Sequence, residues 1–163
     1  MEHSIAINQY YHVTCYDSTG QLKWEDGFKN LVVTAGRNQY LDATLKTGVT
    51  SPLWYVGLKG VGTVVADDTV ASHAGWAELT GYTQSTRPQW VSGTISNGSL
   101  SNNPAAVFTI NATATIAGAF MANNNTKGGT AGILLGAGDF SSSRAVESGD
   151  TLNITITCSV TSA

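Results

Sequence analysis

Apolar and polar residues alternate with a period of two over much of the chain. Phe108, Ile110, Ala112, Ala114 and Ile116 interleave with Val107, Thr109, Asn111, Thr113 and Thr115. That spacing predicts a strand with Phe108, Ile110 and Ile116 on one face. A second alternation sets Leu152, Ile154, Ile156, Cys158 and Val160 against Thr151, Asn153, Thr155, Thr157 and Ser159. The short apolar run "ILL" and a Gly-rich turn precede it, and the stretch "NNNTKGGTAG" reads as a polar loop. Asn97-Gly98 is a hairpin turn signal.

The N-terminal part carries the same punctuation. Strand formers over 10–16 lead into "DSTG", after which Leu22 and Trp24 alternate, the pattern of a hairpin. In "GFKNLVVTAGRNQYLDATL" the period changes. Val32 and Val33 end a strand, and Thr34 is placed to cap a helix over about 35–47. Leu41 and Leu45 lie on one helical face with Arg37 a turn earlier, and Gly48 closes the segment. "SPLWYVGLKG" is a strand with Pro at its mouth. "ADDTVASHAGWAEL" reads as a loop with local turns that leads through Tyr82 into "RPQW". Strands spaced by turn signals, each with one apolar face, predict a mainly β protein, a β-sandwich or jelly roll with one short helix. At 163 residues the chain is expected to form a single domain. It divides into an N-terminal hairpin over 1–26, packed on the body or reaching out as an arm, and a body over 27–163.

Composition narrows the chemistry. Hydrophobic residues make up 42% of the chain but charged residues only 12%, about half the share of a typical soluble domain. Ser, Thr, Asn and Gly fill the gap, and their groups cost less to desolvate than ions do. Such a surface suits burial against other subunits. Eight Lys and Arg residues and a net charge of −3 provide no basic stripe for phosphate, so nucleic acid and anionic membranes are not expected partners. The opening "MEHSIAINQYYHV" has no basic flank and no apolar core of a leader peptide, which predicts synthesis and folding in a cytoplasm. Cys15 and Cys158 are read as buried free thiols rather than a disulfide framework.

A search for reactive constellations returns none. His3, His12 and His73 have no second ligand at metal-site spacing. Asp67, Asp68, His73 and Glu78 gather in one stretch, where acidic residues ahead of a helical turn stabilise its positive end. "NTKGGTAG" lacks the Gly-Lys-Ser/Thr order of a phosphate loop, and no G-x-S-x-G elbow is present. No catalytic, cofactor or metal residue is expected. Trp54 reads as core. Trp76 and Trp90 flank the loop-rich middle and are candidate interface residues, together with Arg87, whose guanidinium is placed beside Pro88 to clamp a local carboxylate.

The order of "GFKNLVVTAGRNQYLDATL", "WYVGLKG", "ADDTVASHAGWAEL", "TRPQW", "AVFTINATATIAGAFM" and "GDFSSSRAVESGDTLNITIT" resembles the capsid cement and head-decoration proteins of tailed bacteriophages. The resemblance runs from Gly27 to the C-terminus and rests on turn and packing signatures. It implies a β-sandwich or jelly-roll body without enzyme activity or cofactor, present in the virion on the outside of the head. The implied partners are the major capsid protein and further copies of the chain, as a dimer or trimer. The segment "FSSSRAVESGDTLNITIT" is also similar to parts of tail-associated phage proteins, which implies instead an adhesion module that binds a host-surface glycan.

Overall fold

The computed structural model describes residues 4–162. Its strands form two antiparallel sheets packed as a β-sandwich. In the first sheet, β1 (Ile5–Tyr16) lies between β2 (Leu22–Lys29) and β11 (Thr151–Ser162). The far edge of β11 is shared by β7 (Ser99–Ser101) and β8 (Ala106–Thr109). In the second, β3 (Leu31–Val32), β10 (Leu134–Val146), β9 (Ala114–Ala122) and β4 (Trp54–Lys59) run side by side. The two-residue strands β5 (Glu78–Leu79) and β6 (Gln89–Trp90) share the far edge of β4. The N-terminal hairpin is therefore part of the body. β1 is an interior strand, matched residue for residue with β11 from Ile5↔Ser162 to Tyr16↔Thr151.

The alternations select the core. Tyr11, Val13 and Cys15 on β1, with Leu152, Ile154 and Ile156 on β11, point inward against Val56, Leu58, Ile116 and Met121 of the opposite sheet. Each large apolar side chain removed from water in this way contributes roughly 1.5–3 kcal/mol. A second cluster forms on the outer face of the second sheet. There Val70 and Trp76, from the loop after β4, cover Phe120, Leu134 and Ala137 together with Val33.

The run 107–116 is not one strand. Phe108, Ile110 and Ile116 are all buried, but Phe108 belongs to β8 in the first sheet and Ile116 to β9 in the second. The chain crosses between sheets at 111–113, so both ends of the alternation reach the same core from opposite sides. Asn97 and Gly98 do form a turn, with φ of 48° and 73° and a Ser96↔Ser99 bridge across it.

Helix α1 (Thr34–Leu45) begins differently from the expected cap. Val33 is the N-cap residue and makes no side-chain capping bond. The Thr34 N–H instead donates to the Ala66 carbonyl at 2.8 Å, and the Thr34 hydroxyl accepts from Arg37 Nη2. The helix ends at a Lys46 C-cap in extended conformation, with Gly48 in the left-handed region two residues on. Gly36 is its one buried residue, seated so close to β10 that a Cβ there would collide with the Leu135 carbonyl. Tyr40 packs against the core, whereas the face carrying Leu41 and Leu45 is left to solvent.

Candidate functional site

The three residues singled out as an interface are occupied within the chain. Arg87 is only 1% exposed. Its Nε and Nη2 donate to Glu78 Oε1 and Oε2 at 2.9 and 2.6 Å, and Nη1 and Nη2 donate to the carbonyls of Asn124 and Gly129. Glu78 Oε2 also accepts the Gly128 N–H. The guanidinium does clamp a carboxylate, and through it the polar loop between β9 and β10. Trp76 donates from Nε1 to Asp68 Oδ2 at 2.9 Å and stacks on His73, ring centroids 4.0 Å apart. Trp90 donates from Nε1 to the Ile156 carbonyl at 3.1 Å. Sequence reasoning places these residues at an interface because they flank loops; the structure buries their polar atoms in bonds to the chain's own carboxylates and carbonyls.

Lys59 is a buried cation that the pattern "WYVGLKG" does not reveal. Its side chain is fully enclosed, and its ammonium donates to the Gly60 and Gly62 carbonyls and to Asp139 Oδ1. Those three acceptors match the three N–H donors of a lysine. Asp26 is held in a comparable way. Burial pushes its carboxyl up, but hydrogen bonds from Ser141, Arg144 and the backbone prevail and keep it below the usual carboxylate range. These groups stitch loops and sheets together.

Among the described residues no three His, Cys, Asp or Glu side chains gather as a metal site, and no helix is long and apolar enough to cross a membrane. Both cysteines are free. Burial, and next the nearby Asp150, raise the Cys15 thiol to about 11.

The most developed surface feature is a groove bordered by α1, the overhanging ends of β1 and β11, and the segments before β4 and after β6. One stretch, about 230 Å³, is lined by Ile5, Ile7, Tyr40, Leu41, Leu45 and Val160. It passes Tyr40 and Val160 to reach Ile95, Leu100 and Cys158. From there it deepens into a cavity of about 150 Å³ against Trp54, Trp90, Met121 and Leu135, and opens again beside Leu53 and Val91. None of the lining residues is Asp, Glu, Lys, Arg or His. Its two titratable groups stay neutral at physiological pH. Burial raises the Cys158 thiol, and burial together with the adjacent Cys158 raises the Tyr40 hydroxyl.

The groove follows from the register of the two longest strands. Ile7↔Val160 and Gln9↔Cys158 continue the inward-facing rows of Tyr11↔Ile156 and Val13↔Ile154. The second sheet reaches Gln9, whose amide meets Met121 Sδ, but no residue of that sheet lines the pocket beside Ile5, Ile7 and Val160, so an apolar face built like a core emerges there. Ile5 and Leu45 are each 75% exposed. The alternation of Ile5 and Ile7 with Ala6 and Asn8 is the sequence signal for this overhang. Of the earlier candidates, Trp90 forms part of the groove wall, while Trp76 and Arg87 do not.

Neither a protein-family model nor a curated protein matches the chain.

Proposed function

We propose that the protein is a structural component of a tailed-bacteriophage particle, a cement or decoration protein on the outer surface of the head that braces adjacent capsomers. The observation that carries this reading is the row of adjoining pockets, joined by shared walls at Tyr40, Leu100 and Trp90, without a charged lining residue. Interface cores are depleted of charge, and contiguous exposed apolar surface marks contact sites. The order of turn and packing signatures from Gly27 onward, similar to head-decoration proteins, supports the same assignment. The major capsid protein is the proposed partner. Many copies on one lattice need little affinity each, because simultaneous engagement supplies the rest.

The adhesion reading has less support. Stacking on a sugar favours several open aromatic faces, yet Trp54, Trp76 and Trp90 are buried, Trp24 is half-buried, and Tyr10 alone among the described aromatic residues is exposed. Electron microscopy of purified particles carrying a labelled copy of the protein is the test. Label over the head lattice, with heads that lose resistance to heat or osmotic shock once the protein is stripped, is the expected result. Label confined to the tail, or stripped heads of unchanged resistance, would overturn the assignment.

A further inference from the structure

The overhang exposes an open sheet edge as well as an apolar face. On β1 the Gln9 carbonyl accepts the Asn30 N–H at 3.1 Å, on the side toward β2. On β11 the Val160 N–H donates to the Gly98 carbonyl, away from β1. With a period of two, Ile5, Ile7 and Gln9 therefore all direct their N–H and C=O groups toward the β2 edge. β2 pairs no further along than Tyr10↔Lys29, so among the described residues no strand meets Ile5 and Ile7 on that edge.

Several other edges are defended by ordinary devices. β2 carries Lys23, Glu25, Asp26 and Lys29. β3, β5 and β6 are two residues long. β7 is covered by the bond from Gly93 N–H to the Ser101 carbonyl, and β8 by the bond from Thr83 N–H to the Thr109 carbonyl. Among the described residues, the edge at Ile5–Ile7 has no charge, no proline and no strand paired to it.

We propose that this edge pairs with the same edge of a second copy, antiparallel, extending the first sheet across a two-fold axis. Two observations select a second copy. An antiparallel pair of identical strands is two-fold symmetric by construction, so one patch serves both sides of a closed interface. The adjoining groove carries no Asp, Glu, Lys, Arg or His, so bringing two copies of it together opposes no like charges. Gln9 is already bonded to Asn30, which disfavours the register that centres on Ile7; the register that uses both Ile5 and Ile7 sets Ala6 opposite its own counterpart on the axis and Ile5 opposite the second copy's Ile7. Both isoleucines then make cross-strand contacts on the groove face.

This pairing goes beyond the proposed role on the head and is tested without particles. Sedimentation velocity from about 1 to 100 μM is expected to show a dimer for the natural chain. Ile5→Lys changes a side chain that is exposed in the single copy and sets charge into the pairing. Ile7→Pro removes an N–H that no strand of the single copy uses. Each is expected to weaken dimerisation at least about tenfold, with the circular dichroism of the natural chain retained, and Leu22→Lys on the charged edge is expected to change nothing. A natural chain that stays monomeric over the whole range, or a dimer that persists in Ile5→Lys or in folded Ile7→Pro, overturns the proposal.

Discussion

The two ends of β4 show how differently this chain treats its interior and its contact surface. At Trp54 the strand starts in a groove without charge, where the indole pairs across the strand with Trp90 and looks onto Leu100 and Cys158. Five residues on it ends at Lys59, enclosed and fully hydrogen-bonded to Asp139 and two carbonyls. Half of the cations are committed to internal pairs: Lys59 with Asp139, Arg87 with Glu78, Arg144 with Asp26, Lys23 with Asp150. They tie loops to strands, and β2 to β10. Low charge content thus has two consequences. Ions hold the loops, and the groove is left to neutral side chains.

Substitutions can break this contrast in graded steps. The largest effect is expected for Arg87→Met, which strands the buried Glu78 carboxylate with the Gly128 N–H but without its cation. Chemical denaturation should show a loss of about 3–5 kcal/mol, partly restored when Glu78→Leu is added. A loss below about 1 kcal/mol would mean that the loop between β9 and β10 is held by something else. Lys59→Met is next, at about 2 kcal/mol. Two carbonyls lose their donor, but Asp139 is 44% exposed and regains water.

Acid should erode the Asp26 contribution. Its folded-state acidity is strengthened, so the stabilisation is complete above the ordinary aspartate value, near pH 4. It is lost as pH falls through that value toward the lower folded one. Asp26→Asn should flatten that part of the stability profile measured by thermal melts. The smallest effect on folding belongs to the groove. Leu45→Ser is expected to change stability by no more than about 0.5 kcal/mol, while reducing retention of the protein on particles in a pull-down. A large loss of stability there would show that α1 depends on Leu45 for its docking.

Strand content and turn positions were legible in the sequence because alternation reports directly which side of a sheet is buried. Leu152, Ile154 and Ile156 and the Asn97-Gly98 turn are examples. The break at 111–113 was not legible, since two strands of opposite sheets that face one core leave the alternation uninterrupted. The cap was misread by one residue: Val33 is the N-cap and Thr34 is already helical, its N–H satisfied by the Ala66 carbonyl, a partner 32 positions away. Arg87 was read correctly as a carboxylate clamp and incorrectly as a surface group, because composition says nothing about the depth of a loop. The groove escaped notice because Ile5, Ile7, Leu41, Leu45 and Val160 look like core residues in any local window. Only the lengths of the two sheets reveal that part of the face is uncovered.

Hydroxyl-radical footprinting of the protein, free and on purified particles, tests the contact role of the groove most directly. Leu41, Leu45, Leu53 and Ile95 are expected to lose labelling on the particle, while the exposed Leu22, Val61, Val65 and Val107 elsewhere on the surface keep theirs. Equal labelling of the groove in both states, or a particle that contains no copy of the protein, would contradict the account.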